Sequence, residues 1–189
     1  MTTIGSLQRL SAPALSKLIL AEQEASAAPA STENGSPTSL AIIDVRDDDY
    51  IGGHIKGSQN VPSRKLDAML PTLVRQLQDK ETVVFHCALS QQRGPSAALR
   101  YIRERERLMP KEVGTKLTST ADRAAVEEVA EEVAKEADGA EKKEEEKKPV
   151  NQKVFVLDRG FVGWQEAFGL DERLTEGYSK ELWRDGYWM

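Results

Sequence analysis

The sequence predicts an α/β fold in which a central, mostly parallel sheet lies between two layers of helices. Three short apolar segments, residues 40–45, 82–86 and 153–157, are rich in β-branched side chains and have the length of buried strands. Helix-like stretches separate them. Strands that alternate with helices in this way are typical of parallel sheets that are covered on both faces.

Three amphipathic segments are predicted to supply the helical layers. Segment 66–77 places five aliphatic side chains on one helical stripe, namely Leu66, Leu70, Leu73, Val74 and Leu77. Segment 96–107 offers Ala98, Leu99 and Ile102 to the core, while its arginines and glutamates face water. Segment 7–20 at the N-terminal end is also amphipathic.

Two segments interrupt this pattern. Residues 25–39 are rich in Ala, Ser and Pro and are predicted to form a flexible low-complexity loop. Residues 109–150 form an acidic low-complexity insertion with eight Lys or Arg and twelve Asp or Glu residues. We interpret the insertion as a solvated surface loop with a marginal helix over 124–137, the alternative being a helix that binds a partner.

The rest of the chain, roughly 130 residues, has the size of a single domain. We therefore expect residues 1–189 to form one domain that carries the loop and the insertion. Residues 171–189 form an aromatic C-terminal tail, which we expect to pack on the domain, with a contact to substrate or partner as the alternative.

Composition limits the chemistry. The chain has one cysteine and two histidines, which allows no internal disulfide and no resolving thiol and is too few for a metal site. A net charge of −5 without a basic patch argues against nucleic-acid binding. No apolar run is long enough for a signal peptide or membrane span, and no lipidation motif is present, so we expect a cytoplasmic or nuclear protein that binds no membrane.

The strongest functional signal is the stretch FHCALSQQRGP, residues 85–95. Cys87 ends a predicted strand, Arg93 follows six positions later, and Gly94 and Pro95 open a helix. A loop of this length can wrap a tetrahedral oxyanion, and the helix N-terminus together with Arg93 favours negative charge there, including a reactive thiolate. The alternative is a buried structural cysteine.

Each part of this loop has an expected role. The backbone amides from Ala88 to Arg93 would bind the oxyanion, in a loop made of Ala88, Leu89, Ser90, Gln91, Gln92 and Gly94. Gly94 is expected to allow a tight turn, and Pro95 to fit the first turn of the helix.

Three residues fall at the carboxyl ends of strands and should meet at that edge of the sheet, namely Asp44, Cys87 and Asp158. We expect Asp44 to support the site by holding an arginine or loop amides. His86 and His54 are interpreted as hydrogen-bonded scaffold residues, with His86 beside the site. Arg46 is predicted to pair with the acidic run of residues 47–49 rather than to bind substrate.

The loop HCALSQQRGP resembles the active-site loop of Cdc25-type dual-specificity phosphatases and of eukaryotic arsenate reductases, which share the rhodanese fold. Residues 42–46 and 49–62 resemble the rhodanese signature of a strand ending in Asp-x-Arg, followed by Gly-His-Ile-x-Gly and Asn-x-Pro. Residues 154–161 with Trp164 resemble the last rhodanese strand and its turn. The chain is thus similar to the small single-domain members of this family in fungi and plants, and a rhodanese-like three-layer domain is implied.

The resemblance implies a tyrosine or dual-specificity protein phosphatase of the Cys-x5-Arg type that acts through a phosphocysteine intermediate. Cys87 would be the nucleophile and Arg93 would grip the oxyanion of a phosphoprotein substrate. Ser90 would either hydrogen-bond the thiolate or stabilise the turn, and both interpretations stay open.

This loop lacks a residue that could act as the general acid. Cdc25-type loops carry acidic residues where this chain has Ala88 and Gln92, and neither can protonate a leaving group. We therefore expect a modest phosphatase rate, or substrates whose leaving groups need little help. The gap favours a second candidate, an arsenate reductase that acts on a small oxyanion; because there is no second cysteine, glutathione and a glutaredoxin would supply the electrons.

Two further classes rank below these. A sulfurtransferase would carry a persulfide on Cys87, but similar sulfurtransferases have a loop one residue shorter. A non-catalytic rhodanese binding module would be indicated by a Cys87 thiol that alkylates slowly at neutral pH. No resident cofactor or metal is implied by any of these readings.

Overall fold

The structure is a computed structural model that describes residues 3–27, 39–109 and 152–186. Its main sheet has five strands in the order β1-β6-β5-β2-β4, and every neighbouring pair is parallel. The strands are β1 (Gln8–Leu10), β2 (Leu40–Asp44), β4 (Gln59–Asn60), β5 (Thr82–His86) and β6 (Lys153–Leu157). Two short strands, β3 (His54–Ile55) and β7 (Thr175–Glu176), form a separate antiparallel pair. The mostly parallel central sheet is thereby confirmed.

Five helices accompany these strands in the described residues, together with a short 3-10 turn at Ile4–Ser6. They are α1 (Ala12–Ala27), α2 (Leu66–Gln76), α3 (Arg93–Leu108), α4 (Gly160–Phe168) and α5 (Lys180–Trp183). Of the helices in the described ranges, none has the length and apolar character needed to cross a membrane.

The sheet separates two hydrophobic clusters, which confirms the three-layer architecture. Side chains alternate along each strand, so Ile43 and Phe85 pack with α2 and α3, whereas Ile42 and Val84 pack with α1 and α4. The predicted stripe of α2, from Leu66 to Leu77, is buried as a whole. Both faces of β2 and β5 are thus covered, as their continuous apolar sequences indicate.

The buried face of the helix α3 agrees with the prediction in two of three residues. Ala98 and Leu99 are buried as expected, but Ile102 is only partly buried and Tyr101 is fully buried in its place. The Tyr101 ring packs against Phe85 with 5.3 Å between centroids, and its hydroxyl donates to Gln152 Oε1 at 2.8 Å. The hydrogen bond compensates for burying the polar end of this ring, which sequence periodicity does not reveal.

The N-terminal segment 7–20 divides into the edge strand β1 and the first part of α1. Gln8 aligns with Phe155 in a parallel register. The helix α1 continues to Ala27, so the first three residues of the predicted loop 25–39 are helical, and residues 28–38 lie outside the described part of the chain. The predicted acidic insertion 109–150 also lies outside it, apart from Met109.

The aromatic tail packs on the domain as far as it is described. Trp183 Nε1 donates to the Gly52 carbonyl at 2.8 Å, and the indole lies edge-on to Phe161. The Tyr178 hydroxyl donates to Gln165 Oε1 at 3.0 Å. These contacts agree with the expected packing role, while Tyr187 and Trp188 fall outside the described residues.

Candidate active site

The predicted loop lies at the carboxyl edge of the sheet, where β5 leads into α3. Cys87 directly follows β5, and Arg93 is the first residue of α3. Between them lies a cavity of about 310 Å³, which is lined by Cys87, Ala88, Leu89, Gln91, Gln92 and Arg93. The structure therefore brings the thiol and the guanidinium onto one cavity, next to a helix N-terminus that favours anions.

The thiol is buried and meets a backbone amide of its own loop. The side chain of Cys87 belongs to the buried core, and the Ser90 backbone N–H donates to its Sγ at 3.2 Å. The Cys87 N–H in turn donates to the Ser90 hydroxyl at 3.4 Å. Ser90 thus approaches the sulfur with its amide, while its hydroxyl closes the turn, in which Ser90 has a left-handed φ of 53°.

The helix α4 fixes the orientation of the loop from behind. The Phe161 N–H donates to the Cys87 carbonyl and the Val162 N–H to the Ala88 carbonyl, both at 2.9 Å. A peptide plane whose carbonyl is held on one side turns the following N–H to the other, and this arrangement suits an amide-lined cradle. Gly160 has φ +56°, and a Cβ there would lie 2.5 Å from the Ala88 oxygen, so only glycine allows this approach.

Arg93 is held by two aspartates of the loop that follows β2. Its Nη1 donates to Asp49 Oδ1 at 2.7 Å and to Asp47 Oδ2 at 3.2 Å, and its Nη2 donates to Asp49 Oδ2 at 2.5 Å. No hydrogen bond from Nε, and no second one from Nη2, is made to any described residue. The edge of the guanidinium that carries Nε and Nη2 is therefore available to grip an oxyanion in a bidentate fork.

The ion pairs fix the charge of this cluster. Burial raises the pKa of Asp49, but hydrogen bonds from Arg93 and from the Asp47 N–H outweigh it and lower the pKa to about 2. Burial likewise opposes the shift at Asp47, whose pKa is lowered by hydrogen bonds from Ser63, the Arg64 N–H and Arg93. The hydrogen bonds to Asp49 raise the pKa of Arg93 above its usual value. Both carboxylates are thus ionised at neutral pH.

A second polar network lies beneath the loop. Asp44 and Arg46 are fully buried and pair at 2.7 Å. The Arg46 guanidinium also donates to the Gly53 carbonyl at 2.8 Å and stacks on the rings of Tyr50 and Phe161. Asp44 thus holds an arginine in place, in the manner expected of a supporting residue.

The predicted partner of Arg46 was wrong. Arg46 pairs with Asp44, and it is Arg93 that takes the carboxylates of Asp47 and Asp49. The run of three aspartates after β2 was a usable signal for this site, because β2 and β5 are neighbouring parallel strands whose carboxyl ends meet. Arg46 was predicted to pair with residues 47–49 because they are its neighbours in the sequence.

His86 lies under the cradle and is fully buried. Its Nδ1 is 3.3 Å from the Cys87 carbonyl oxygen, which can only accept, so the contact requires the Nδ1–H tautomer. Its Nε2 lies 3.8 Å from Asp44 Oδ2. Burial is the largest influence and lowers the pKa of His86, although Asp44 opposes it. The imidazole is therefore neutral and faces the back of the loop rather than the cavity.

The other predicted residues lie around the cavity but not in it. Gly94 is inside α3, where a Cβ would meet the Ser90 hydroxyl at 3.3 Å, so this glycine serves close packing rather than a tight turn. Asp158 faces away and pairs with Arg9, which also reaches the Ser90 carbonyl. Arg9 was not predicted, because the exposed strand β1 gives little sequence signal. His54 pairs with Glu176 across β3 and β7.

Comparison with known proteins identifies the family. The model of the rhodanese-like domain matches residues 26–116. The CDC25-like phosphatase YCH1 of Saccharomyces cerevisiae is 31% identical over 153 residues, which cover 76% of this chain and 77% of that protein. Arsenate reductase 2.1 of Oryza sativa subsp. japonica is 57% identical over 60 residues, or 31% of this chain and 38% of that protein.

A solved structure gives the same result for the fold. The structure of Ygr203w, described as a yeast protein tyrosine phosphatase of the rhodanese family, superposes with a TM-score of 0.59 at 27% identity and covers 97% of this chain and 100% of its own. The relatives are named as enzymes, which agrees with an enzymatic role. The chain therefore belongs to the rhodanese-fold family that contains the Cdc25-type phosphatases and the eukaryotic arsenate reductases.

Proposed function

We propose that this protein is a cysteine-dependent phosphatase of the tyrosine or dual-specificity class, which removes phosphate from phosphoproteins through a phosphocysteine intermediate. The observation that carries the proposal is the cavity between Cys87 and Arg93, because it combines a nucleophile, a cation and inward-facing loop residues in one space of about 310 Å³. Phosphoryl transfer needs this combination of positioning and charge stabilisation.

In the first step, Cys87 Sγ attacks phosphorus in line with the leaving oxygen. The S–P bond forms as the P–O bond to the leaving group breaks. Loop amides and the Nε–Nη2 edge of Arg93 stabilise the equatorial oxygens, while Asp49 keeps the guanidinium oriented. The Ser90 N–H, at 3.2 Å from Sγ, stabilises the thiolate before the attack and again when it departs.

In the second step, water attacks the phosphorus of the phosphocysteine. The S–P bond breaks, the sulfur keeps the electron pair as a thiolate, and inorganic phosphate leaves. The protein has no need of a metal or an organic cofactor for either step, because Arg93 and the helix N-terminus provide the positive charge.

Arsenate reduction is the second candidate. It is favoured by the composition of the cavity lining, in which no residue is a carboxylic acid or an imidazole. The Cys87 thiolate would displace hydroxide from arsenate and form an S–As(V) bond. Glutathione thiolate would then attack Sγ, so that arsenic leaves as arsenite with the electron pair and a mixed disulfide remains, which a glutaredoxin would reduce. Both activities fit a cytoplasmic or nuclear protein, since the thiol must stay reduced.

The two activities are separated by parallel assays on the full chain. Hydrolysis of p-nitrophenyl phosphate and glutathione-dependent arsenate reduction are each measured for the wild type, for Cys87→Ser and for Arg93→Lys. We expect phosphatase activity that Cys87→Ser abolishes and Arg93→Lys lowers by about 10²-fold or more, because lysine cannot form the bidentate fork. Arsenate reduction without ester hydrolysis would contradict the proposal and favour the reductase.

A further inference from the structure

Building on the proposed phosphatase function, we infer that no residue in the described part of the chain gives a proton to the leaving group, so that the substrates are aryl phosphates such as phosphotyrosine rather than alkyl phosphates such as phosphoserine. This narrows the substrate class of the same site. The inference depends on where the proton donors of the described residues lie and on which of them are already engaged.

The lining of the cavity carries no acid. Apart from the thiol, its polar side chains are the amides of Gln91 and Gln92 and the guanidinium of Arg93. An amide cannot release a proton at neutral pH, and neither can the guanidinium, whose pKa is raised further by its ion pairs. Among the residues that surround the described cavity, none can act as a general acid.

The carboxylates that contact Arg93 are held as acceptors. Asp49 Oδ1 accepts from the Asp47 N–H at 2.9 Å and from Arg93 at 2.7 Å, and its Oδ2 accepts from Arg93. Asp47 Oδ1 accepts from the Arg64 N–H at 3.2 Å, and its Oδ2 accepts from the Ser63 hydroxyl at 2.6 Å. A proton on any of these oxygens would meet the hydrogen of a group that already donates to that oxygen. Both groups therefore stay ionised, as their lowered pKa values also indicate.

The two histidines are no substitute. His86 is fully buried, and its ring faces the Cys87 carbonyl and Asp44 behind the loop. His54 pairs with Glu176 at 3.2 Å on the β3–β7 ladder. Neither ring lines the cavity, so neither is placed to reach a leaving oxygen bound opposite Sγ.

The bond changes then follow. As the S–P bond forms, the P–O bond breaks and its electron pair leaves with the oxygen, which departs as an oxyanion and takes a proton from bulk water afterwards. A phenolate is stable enough to leave in this way. An alkoxide is far more basic, and its departure normally requires a proton donor that contributes about 10²–10⁴-fold to the rate.

The experiment measures kcat/KM of the full-length wild type for p-nitrophenyl phosphate, phenyl phosphate and matched phosphotyrosine and phosphoserine peptides. This parameter reports the steps up to phosphocysteine formation and is independent of the hydrolysis that follows. We expect phenyl phosphate to react about 10²-fold or more slowly than p-nitrophenyl phosphate, and the phosphoserine peptide to react at least about 10²-fold more slowly than the phosphotyrosine peptide. Rates within about tenfold of each other in both pairs would overturn the inference.

Two variants test whether either aspartate is a hidden acid. Each of the variants Asp47→Asn and Asp49→Asn should lower kcat/KM by the same factor for both substrates, p-nitrophenyl phosphate and phenyl phosphate, because each aspartate acts only through Arg93. A larger loss with phenyl phosphate would identify a general acid and overturn the inference while leaving the phosphatase function intact. No hydrolysis of p-nitrophenyl phosphate by the wild type would instead reject the proposed function itself.

Discussion

The contact between Asp49 and Arg93 allows the most quantitative prediction. Replacing Asp49 by Asn keeps the size of the side chain but removes its charge and one acceptor for the guanidinium. Arg93 Nη2 then loses its partner at Asp49 Oδ2, and Asp47 at 3.2 Å is the remaining carboxylate that holds the group. We therefore expect the Arg93 guanidinium to sample a wider range of orientations.

The size of the effect follows from the pKa of Asp49. A fall from 3.8 to about 2 corresponds to roughly 2–3 kcal/mol of preference for the ionised form in the folded protein. Because the Arg93 side chain is 32% exposed, solvent screening reduces the value of the pair to about 1–2 kcal/mol. In the variant, Arg93 has to be ordered when the substrate binds, and this cost of up to about 1–2 kcal/mol lowers kcat/KM for p-nitrophenyl phosphate by up to about 5- to 30-fold.

Stability should change with a defined pH dependence. The folded-state pKa of Asp49 lies below the unfolded value, so its contribution is present above about pH 4 and is lost as the pH falls towards 2. At pH 7, Asp49→Asn should be destabilised by about 1–2 kcal/mol. The difference from the wild type should shrink between about pH 4 and pH 2.

The neighbouring Asp48 supplies a matched control. Its carboxylate is 90% exposed and pairs with Arg64, which is also largely exposed, so Asp48→Asn makes the same chemical change without touching Arg93. Urea unfolding and steady-state kinetics are measured for both variants. Equal kcat/KM and equal stability for Asp48→Asn and Asp49→Asn would refute the positioning role of Asp49.

Three further substitutions test the support around the loop, each by urea unfolding. Gly160→Ala places a Cβ against the loop carbonyls at a left-handed position and should lower the free energy of unfolding by about 1–3 kcal/mol or more. Wild-type stability of this variant would contradict the close approach of α4 to the loop. Asp44→Ala leaves Arg46 buried without its 2.7 Å partner and should lower the free energy of unfolding by about 3–5 kcal/mol. A loss below about 1 kcal/mol, as expected for an exposed pair, would contradict the buried pairing. Trp183→Phe removes the 2.8 Å hydrogen bond to Gly52 and should cost about 1 kcal/mol; no change would show that this bond is not needed.

Much of the fold could be predicted because the buried strands and helix faces carry recognisable patterns of apolar residues in the sequence. The strands β5 and β6 begin and end where the sequence predicts, since both faces of these central strands are covered. The stripe of α2 was predictable for the same reason. The strand β1 could not be predicted, because two of its three residues are exposed at the sheet edge. Its existence depends on pairing with a strand about 145 positions later in the chain.

The site could be predicted only in part. Spacing placed Cys87 and Arg93 on one loop, because a strand, a short turn and a helix have few possible geometries. The partners of the charged groups could not be derived in this way. Arg93 finds Asp49 only because the loops after β2 and β5 lie side by side, and that contact is set by strand order rather than by distance along the chain.

In the proposed mechanism, Cys87 attacks phosphorus and becomes phosphorylated. This step is tested by mixing the wild type with excess p-nitrophenyl phosphate, quenching in acid within milliseconds to seconds, and mapping the modified residue by peptide mass spectrometry. We expect a phosphoryl group on Cys87, with a burst of p-nitrophenol where hydrolysis of the intermediate is slow, and neither in Cys87→Ala. Ester hydrolysis that continues in Cys87→Ala, or that proceeds in the wild type with phosphate on another residue, would contradict it.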